Sequence, residues 1–408
     1  MKKLFLPLHG LFLILLIGFF LIPAKIASAA DVGLIVSQEA SYEIYEPDNR
    51  VLYKGTIMPW FSTPLGKTGR LYLSLGMTAD YENEEWSFIP ELMETEIKYR
   101  LGENSEIRAG RIFYEDPLAF IAMGLFDGVR YSTDIGTAGR LNIGAFYTGF
   151  LFKKSAYITI TEDELDLYNE VLDYSNFYES YFAPRRLVAA LDWEQWSLSE
   201  LLRIQISLIG QFDLSGSAKL YHSQYLTGKI VIPVKAFVFE LGGIAGLAEN
   251  AQNYQVFFAG ELGIAWNLPT PIHDKLSVTG RFSGGTINNT LSAFVPITTI
   301  PQGYILKAKL SGLSMIQAEY TARLHQSFSL QFFSSYFITS DMGTYDGIPD
   351  GRNGYFLGNE FYGQAVWSPF SDLQIKLGGG VFLPSLGDAD KNGKAFWQID
   401  LSAVVALF

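Results

Sequence analysis

A period-two alternation of apolar and polar residues recurs along most of this chain and limits what it can fold into. In the last stretch, residues 396–408, the apolar positions are Trp397, Ile399, Leu401, Ala403, Val405 and Leu407, and the polar positions are Gln398, Asp400 and Ser402. Successive side chains of a strand point to opposite faces of a sheet, so this segment has one apolar face and one polar face. The pattern predicts an all-β, antiparallel protein whose two sheet faces meet different surroundings.

The same stretch resembles the closing strand of bacterial outer-membrane β-barrels, whose last residue is usually Phe, as Phe408 is here. The resemblance implies recognition by the barrel assembly machinery. Counting back from Phe408 puts Asp400 on the same face, so a bulge or an inward Phe408 is needed. The alternative for this segment alone is a buried edge strand of a soluble sandwich.

The N-terminus has the composition of a secretory signal. Lys2 and Lys3 precede an apolar run over residues 4–22, and Ala27 and Ala29 flank Ser28 in a small-residue cleavage site. We therefore predict a signal peptide over residues 1–29 and one barrel domain over residues 30–408. The chain has no Cys, which excludes a lipoprotein and a disulfide scaffold.

Composition also narrows the class of protein. After the signal, no run of about 18 apolar residues predicts a helical span, yet 49% of the residues are hydrophobic and 15% are aromatic. Lipid-facing and lumenal residues alternate in barrel strands, which hides them from a hydropathy scan. Without its signal the chain has 27 basic and 42 acidic residues, so nucleic acid is not an expected partner. Outer-membrane lipid is an expected partner, and the predicted location is the bacterial outer membrane.

Eighteen alternating segments predict a transmembrane, up-and-down barrel. They are residues 34–45, 51–60, 70–81, 88–101, 106–116, 127–134, 140–149, 186–193, 202–213, 220–232, 236–247, 254–267, 275–283, 306–322, 327–338, 356–367, 373–383 and 396–408. Sixteen strands is the alternative, because the segments that begin at Leu306 and Asp127 are the weakest. With the C-terminus on the periplasmic side, the four longest connections all fall on the outer side. The longest, residues 150–183, contains a capping-box pattern at Thr161 and Glu164.

If the apolar faces meet lipid, charges of both signs face the lumen. The predicted pore-lining residues are Lys54, Lys98, Arg100, Arg111, Arg130, Arg186, Arg203, Arg281, Glu94, Glu96, Glu240 and Glu261. A barrel of 16 to 18 strands is too wide for side chains to fill, so this wall predicts an aqueous channel. Any one of these residues could instead pair across strands to hold the wall.

A short stretch resembles the alginate-export family of outer-membrane barrels. It comprises Gly110 and Arg111, followed by Phe126, Asp127, Gly128, Val129 and Arg130. The resemblance implies eighteen strands and lumenal arginines, here Arg130 and Arg111, that guide an anionic polysaccharide. Alternation from Ile107 turns Arg111 toward lipid unless a bulge at Gly110 returns it. The acidic excess departs from the basic lumen that a polyanion conduit would need.

Catalytic and metal motifs are weak. The predicted mature chain has only His222, His273 and His325, without a nucleophile motif or an acidic partner at a defined spacing, so we predict no enzyme. Asp388, Asp390 and Asn392 match the opening of a calcium loop, but Ile399 occupies the position of the bidentate acid. A polar hairpin tip is the favoured interpretation, and neither a metal nor a cofactor is predicted.

These patterns predict a channel through which small hydrophilic or anionic solutes, including anionic saccharides, diffuse. Residues 150–183 are the expected constriction. The alternative is an occluded structural or adhesive barrel whose outer loops are the functional part. The sequence leaves the solute open, as it does the choice between a monomer and a trimer.

Overall fold

A computed structural model describes residues 30–407 except for residues 46–47, 83, 199–201, 217–219, 251–252, 287–291 and 341–353. The predicted signal peptide and Phe408 lie outside the described residues, so the domain boundary stays a prediction. The strands are β1 (Asp31–Tyr45), β2 (Asp48–Leu65), β3 (Gly69–Glu82), β4 (Glu85–Arg100), β5 (Ser105–Glu115), β6 (Met123–Asp134), β7 (Arg140–Tyr147), β8 (Arg186–Leu198), β9 (Leu202–Asp213), β10 (Tyr221–Val234), β11 (Phe237–Asn250), β12 (Tyr254–Asn267), β13 (Lys275–Ser283), β14 (Leu313–His325), β15 (Phe328–Thr339), β16 (Phe356–Phe370), β17 (Leu373–Leu383) and β18 (Phe396–Leu407).

The strands form one closed antiparallel sheet. Each strand pairs with its neighbours in the chain, and β1 pairs with β18 in a register that runs from Leu34 opposite Leu407 to Ile44 opposite Trp397. The predicted fold class and the count of eighteen are confirmed among the described residues. Both weak segments are strands, but β14 begins at Leu313 and not at Leu306, because the residues before it belong to an infolded loop.

The alternation predicted for the last strand is confirmed. Trp397, Ile399 and Leu401 are each about half exposed on the outer face, whereas Gln398 is 6% exposed on the inner face. Asp400 also faces inward, where its carboxylate accepts hydrogen bonds from Tyr362 Oη at 2.8 Å and Gln398 Nε2 at 2.7 Å. The charged residue of this strand is therefore kept away from the outer surface.

Large apolar side chains cover the outer face of the other strands as well. Leu241, Leu262, Phe332 and Leu377 are each more than half exposed there. An apolar surface of this extent is not stable in water, and it matches the lipid-facing band of a membrane barrel. The chain is a transmembrane β-barrel.

The connections divide between two rims. One rim carries Asp31, Leu407 and short turns, and at the other rim lie the strand ends that flank the four longest gaps between strands, residues 148–185, 284–312, 340–355 and 384–395. The prediction that the four longest connections share one rim is confirmed, and the assignment of that rim to the outer side stays a prediction. The longest connection contains α1 (Lys153–Ala156), α2 (Glu162–Asn169) and α3 (Phe177–Tyr181). No helix in the described ranges is long and apolar enough to cross a membrane.

Three connections fold into the barrel, and we name them loop A (residues 116–122), loop B (residues 148–185) and loop C (residues 284–312, described without 287–291). The main apolar cluster joins them to the inner wall. It includes Tyr114, Phe126, Phe146 and Phe257 of the wall, Leu118 and Ile121 of loop A, Leu151 and Ile158 of loop B, and Phe294 and Ile297 of loop C. The main core therefore lies inside the barrel on the side of β5 to β12. A second buried cluster joins Ala308 of loop C to Leu313, Met315, Phe337, Leu357 and Phe382 of β14 to β17.

We expect Leu401→Arg to destabilise the barrel strongly and Ser402→Arg to be tolerated. Leu401 is near the middle of β18 on the outer face, where a charge costs roughly 2–4 kcal/mol at the bilayer midplane. Ser402 is its neighbour on the inner face, opposite Glu39. Urea unfolding of each variant from lipid vesicles measures the difference, and equal free energies of unfolding would contradict this orientation of β18.

Candidate functional site: a lumen narrowed by three loops

Loop A is built around one buried carboxylate. Asp116 Oδ2 accepts hydrogen bonds from the backbone amides of Ile121 at 2.8 Å and Ala122 at 3.0 Å, and its Oδ1 accepts from Leu118 at 3.1 Å. Burial raises the pKa of Asp116 to about 6, although these three hydrogen bonds oppose the shift. One acidic side chain thus fixes the turn that carries Leu118 and Ile121 into the lumen.

Loop C lies against loop A. The backbone amides of Ile297 and Thr298 donate to Ile121 O at 2.7 and 3.1 Å. On β13, Arg281 lies 5.4 Å from the centre of the Phe120 ring and donates to Gln302 Oε1 at 2.8 Å. A wall arginine therefore holds loops A and C together.

Loop B is tied to the wall by a buried ion pair. Arg186 of β8 is fully buried, and its Nε donates to Glu164 Oε1 at 2.9 Å. A second acid, Asp213 of β9, lies 3.8 Å from the guanidinium. Glu164 also completes the predicted capping box of α2 with Thr161, which is confirmed. The helix start and the wall contact thus depend on the same carboxylate.

Loop C also reaches the far side of the barrel. Glu360 of β16 accepts hydrogen bonds from the backbone amides of Tyr304 at 2.7 Å and of Ile305 and Leu306 at 2.9 Å. The Tyr304 ring stacks on Tyr362 with a centroid separation of 4.4 Å. Lys307 Nζ forms an ion pair with Glu43 of β1 at 3.0 Å. The lumen is thus narrowed by loops A, B and C together, and not by residues 150–183 alone.

The predicted pore-lining residues fall into three groups. The register places all of them except Arg111 on the inner face. Lys54, Arg100 and Arg203 are exposed, Lys98, Arg130, Arg281, Glu94 and Glu240 are half-buried, and Arg111, Arg186, Glu96 and Glu261 are buried. Only the first two groups can meet a solute in the lumen.

Most of these charges have partners in the wall. Lys98 pairs with Glu106 at 3.0 Å, and Arg281 pairs with Glu261 at 2.8 Å. Arg130 lies 3.6 Å from Asp192 and 3.8 Å from Glu194. Cross-strand pairing therefore accounts for much of the charge predicted to line the pore.

The prediction that Arg111 lines the pore is wrong. Its position opposite Thr95 keeps the outward register, and the side chain turns into the wall, where it is 4% exposed. The guanidinium forms two 2.8 Å hydrogen bonds with Asp127 and one of 2.9 Å with Phe150 O of loop B. Gly110 has a φ of 121°, but this irregularity does not return Arg111 to the lumen.

The sequence did not predict that Asp116 and Glu360 hold the loops, although alternation does place Glu360 on the inner face. Asp116 stands before Pro117 at the end of a strand, a turn signal that could have pointed to it. Glu360 carries no such signal, because an inward acid in a barrel strand looks the same whether it meets water or loop amides.

The weak metal and catalytic candidates have structural contacts. Asp388 Oδ1 accepts a hydrogen bond from the Phe356 amide at 2.7 Å, which ties the hairpin tip to β16. His222 Nδ1 accepts from the Asp213 amide at 3.0 Å, and His325 Nδ1 lies 2.9 Å from Ser327 Oγ. Within the described ranges, no group of three His, Asp or Glu side chains could hold a metal ion.

A closed eighteen-strand barrel with an apolar outer belt, a charged inner wall and loops folded in from one rim is the architecture of bacterial outer-membrane porins. This chain has that class of fold.

Comparison with solved structures gives the same fold. OccK5 (OpdH) of Pseudomonas aeruginosa aligns with a TM-score of 0.63 and 10% identity over 93% of this chain and 98% of its own. OccK2 (OpdF) of the same organism, in complex with glucuronate, gives a TM-score of 0.61 and 11% identity over 93% and 98%. The outer-membrane protein OprD gives 0.57 and 11% over 93% of each chain. The sequence matches no protein-family model, and no curated protein matches it.

These comparisons do not support the alginate-export resemblance. The similar structures are Occ and OprD barrels. Arg111 is enclosed in the wall and Arg130 lies between two acids, so neither forms a free basic track for a polyanion.

We expect the stability of the wild type to fall, relative to Asp116→Asn, as the pH rises from 4 to 7. The pKa of Asp116 is about 6 in the folded state against an ordinary 3.8, so its contribution is fully present below pH 4 and is lost as the pH passes 6. The difference amounts to about 3 kcal/mol, since each pKa unit corresponds to about 1.4 kcal/mol. Urea midpoints of both proteins at four pH values measure it. Parallel pH profiles would contradict a raised pKa at Asp116.

Proposed function

We propose that this protein is a passive outer-membrane channel for small hydrophilic solutes, with a preference for small anions. The observation that carries the proposal is a charged inner wall, in a closed porin-like barrel, that three loops from one rim narrow. A protein that only anchors surface loops would not need exposed charges of both signs along its interior.

A water-filled path is supported on the side of the barrel opposite the apolar cluster. Glu39 of β1, Lys54 of β2 and Lys376 of β17 face inward and are exposed. Exposed charges inside a barrel require water around them. Apolar clusters cover β5 to β12 and, through loop C, the long-loop ends of β14 to β17. The remaining exposed charges place the water-filled path along β1, β2 and the part of β17 around Lys376.

The narrowing and the charges favour small solutes over polymers. Loops A, B and C are tied to one another by backbone hydrogen bonds, and loops B and C are tied to the wall through Glu164 and Glu360, which favours a fixed constriction. OccK2 (OpdF), which shares this fold, was crystallised with glucuronate. We take a small carboxylate of this kind as the first solute to test. The proposal includes no chemical step.

Single-channel conductance of the refolded protein in a planar bilayer tests the function. Steady open currents, reduced by millimolar glucuronate, are expected. A folded barrel without current would overturn the proposal and favour the occluded structural or adhesive barrel. Folding is checked independently by the heat-dependent shift in gel mobility.

We expect Glu164→Gln to raise the conductance or add rapid fluctuations. The substitution leaves buried Arg186 without its closest anion, and breaking a buried ion pair costs roughly 3–5 kcal/mol. Loop B should therefore leave the lumen for part of the time. Asp166→Asn is the matched control, because it removes one acidic charge from an exposed position of the same helix. Equal conductance in both variants would show that loop B does not narrow the path.

The exposed lumenal cations should set the anion preference. We expect the triple substitution of Lys54, Arg100 and Arg203 by Gln to shift the reversal potential in a salt gradient toward the value of a more cation-selective channel. Rings of charge tune ion selectivity, and this variant removes three positive charges. Lys67→Gln, in a turn of the short rim, is the control for loss of a positive charge outside the lumen. An unchanged reversal potential in the triple variant would contradict this role.

A further inference from the structure

The wall is incomplete between β4 and β5. Pairing between these strands stops at Thr95 and Arg111. On the other side of β4, pairing with β3 continues to Glu85, and on the other side of β5, pairing with β6 continues to Glu115. Over the half of the barrel nearer the long loops, the two strands therefore share no backbone ladder. We call this part of the wall the seam.

Local chemistry explains why the strands separate. The register of β3 with β4 shifts between Leu73 and Leu75, which places an extra residue of β4 in a bulge near Met93. On β5, Gly110 has a φ of 121°, and a Cβ at this position would lie 2.1 Å from Thr95 O. Pro90 lies on the free edge of β4, where a missing amide donor costs no ladder bond.

Side chains close the seam where backbone groups do not. Tyr174 Oη accepts a hydrogen bond from Phe88 N at 2.8 Å and also contacts Phe88 O. Tyr181 Oη donates to Pro90 O at 2.6 Å. Arg111 donates to the next alternate carbonyl, that of Leu92. Two tyrosines of loop B and one arginine of β5 thus replace a neighbouring strand along the edge of β4.

An apolar cluster fills the seam behind these contacts. Ile89 of β4 packs with Phe152, Leu172 and Tyr181 of loop B. Loop B also exposes Tyr178 to 80% and Phe150 to 61%. The inner part of the seam is therefore apolar, and its outer part carries Arg111 with its ion-pair partner Asp127.

A polar cavity of about 510 Å³ adjoins this cluster on the lumenal side. Ile89, Phe152 and Leu172 form part of its apolar wall and are shared with the seam. Its charged lining consists of three lysines, Lys54, Lys153 and Lys154, and four acids, Asp80, Glu82, Glu85 and Glu91. Of these, Lys154 pairs with Glu82 at 2.9 Å. Lys153 is 1% exposed, and its Nζ has no hydrogen-bond acceptor in the described part of the chain. Its nearest acid, Glu170, lies 3.9 Å away. A buried ammonium with unused donors is a site for an anionic group.

We propose that the seam is a lateral window that binds a single-chain anionic amphiphile, with its chain in the apolar cluster and its anionic head at Lys153. The window connects the lumen with the outer leaflet of the membrane. Opening it requires loop B to move, but it breaks no strand ladder, because β4 has no partner on β5 between Glu85 and Glu94. This path goes beyond the diffusion of hydrophilic solutes through the lumen.

Photolabelling in lipid vesicles tests the window. The probe is dodecanoic acid with a diazirine near the end of its chain, and the labelled residues are mapped by mass spectrometry after digestion. Label concentrated in residues 85–94 and 150–182 is expected. Label distributed along the outer leucines, such as Leu241 and Leu262, in proportion to their exposure would overturn the proposal.

Two variants and one control make the test specific. Lys153→Met should lower labelling of the seam about tenfold, as expected when a charge-assisted hydrogen bond is lost. Tyr174→Phe with Tyr181→Phe should raise labelling, because the rings remain while the contacts that close the window are lost. Tyr178→Phe on the same helix as Tyr181 should change nothing. Every variant must show the heat-dependent gel shift of a folded barrel, and unchanged labelling in folded Lys153→Met protein would overturn the site of the head group.

Discussion

The closed ladder of backbone hydrogen bonds is the constraint on which the rest of this structure depends. Lipid offers no partner for a free amide or carbonyl, so a sheet can span a membrane only when its first and last strands pair. The pairing of β1 with β18 meets that condition. Once the sheet is closed, its outer face must be apolar, and every charged strand residue has to be accommodated inside.

The interior then has two different sides. On one side the interior is packed by loops, whose backbone polar groups are satisfied by one another and by acids such as Asp116 of loop A and Glu360 of β16. Along β1, β2 and β17 it keeps exposed charges that need water. The seam between β4 and β5 is a local departure from the closed ladder, and there tyrosine hydroxyls and one guanidinium satisfy the strand edge in place of backbone.

Much of the fold could be read from the residues, because strand alternation is a local property and survives whatever the neighbours are. The eighteen segments, the half-exposed outer positions Trp397 and Leu401, and the placement of the long connections on one rim all followed from it. The start of β14 was misplaced because residues 306–312 alternate like a strand while tertiary contacts hold them in loop C. The segment that begins at Asp127 was also among the weakest predictions. It is nevertheless part of strand β6, because β5 and β7 pair with it on both sides.

The contacts made by the residues of the candidate site could not be predicted from the alternation. The period-two alternation assigns each side chain to the inner or the outer face. Eleven of the twelve predicted pore-lining residues do lie on the inner face, but the alternation does not say what a side chain contacts there. Arg186 and Lys54 share the inner face, yet one is buried against Glu164 and the other is exposed. The sequence by itself determined the closed barrel and its two faces, because these depend on near-neighbour geometry. Only the tertiary structure decided which charges meet water and where the wall is closed by side chains. Those outcomes depend on loop contacts that span from 22 residues, between Glu164 and Arg186, to 91 residues, between Pro90 and Tyr181.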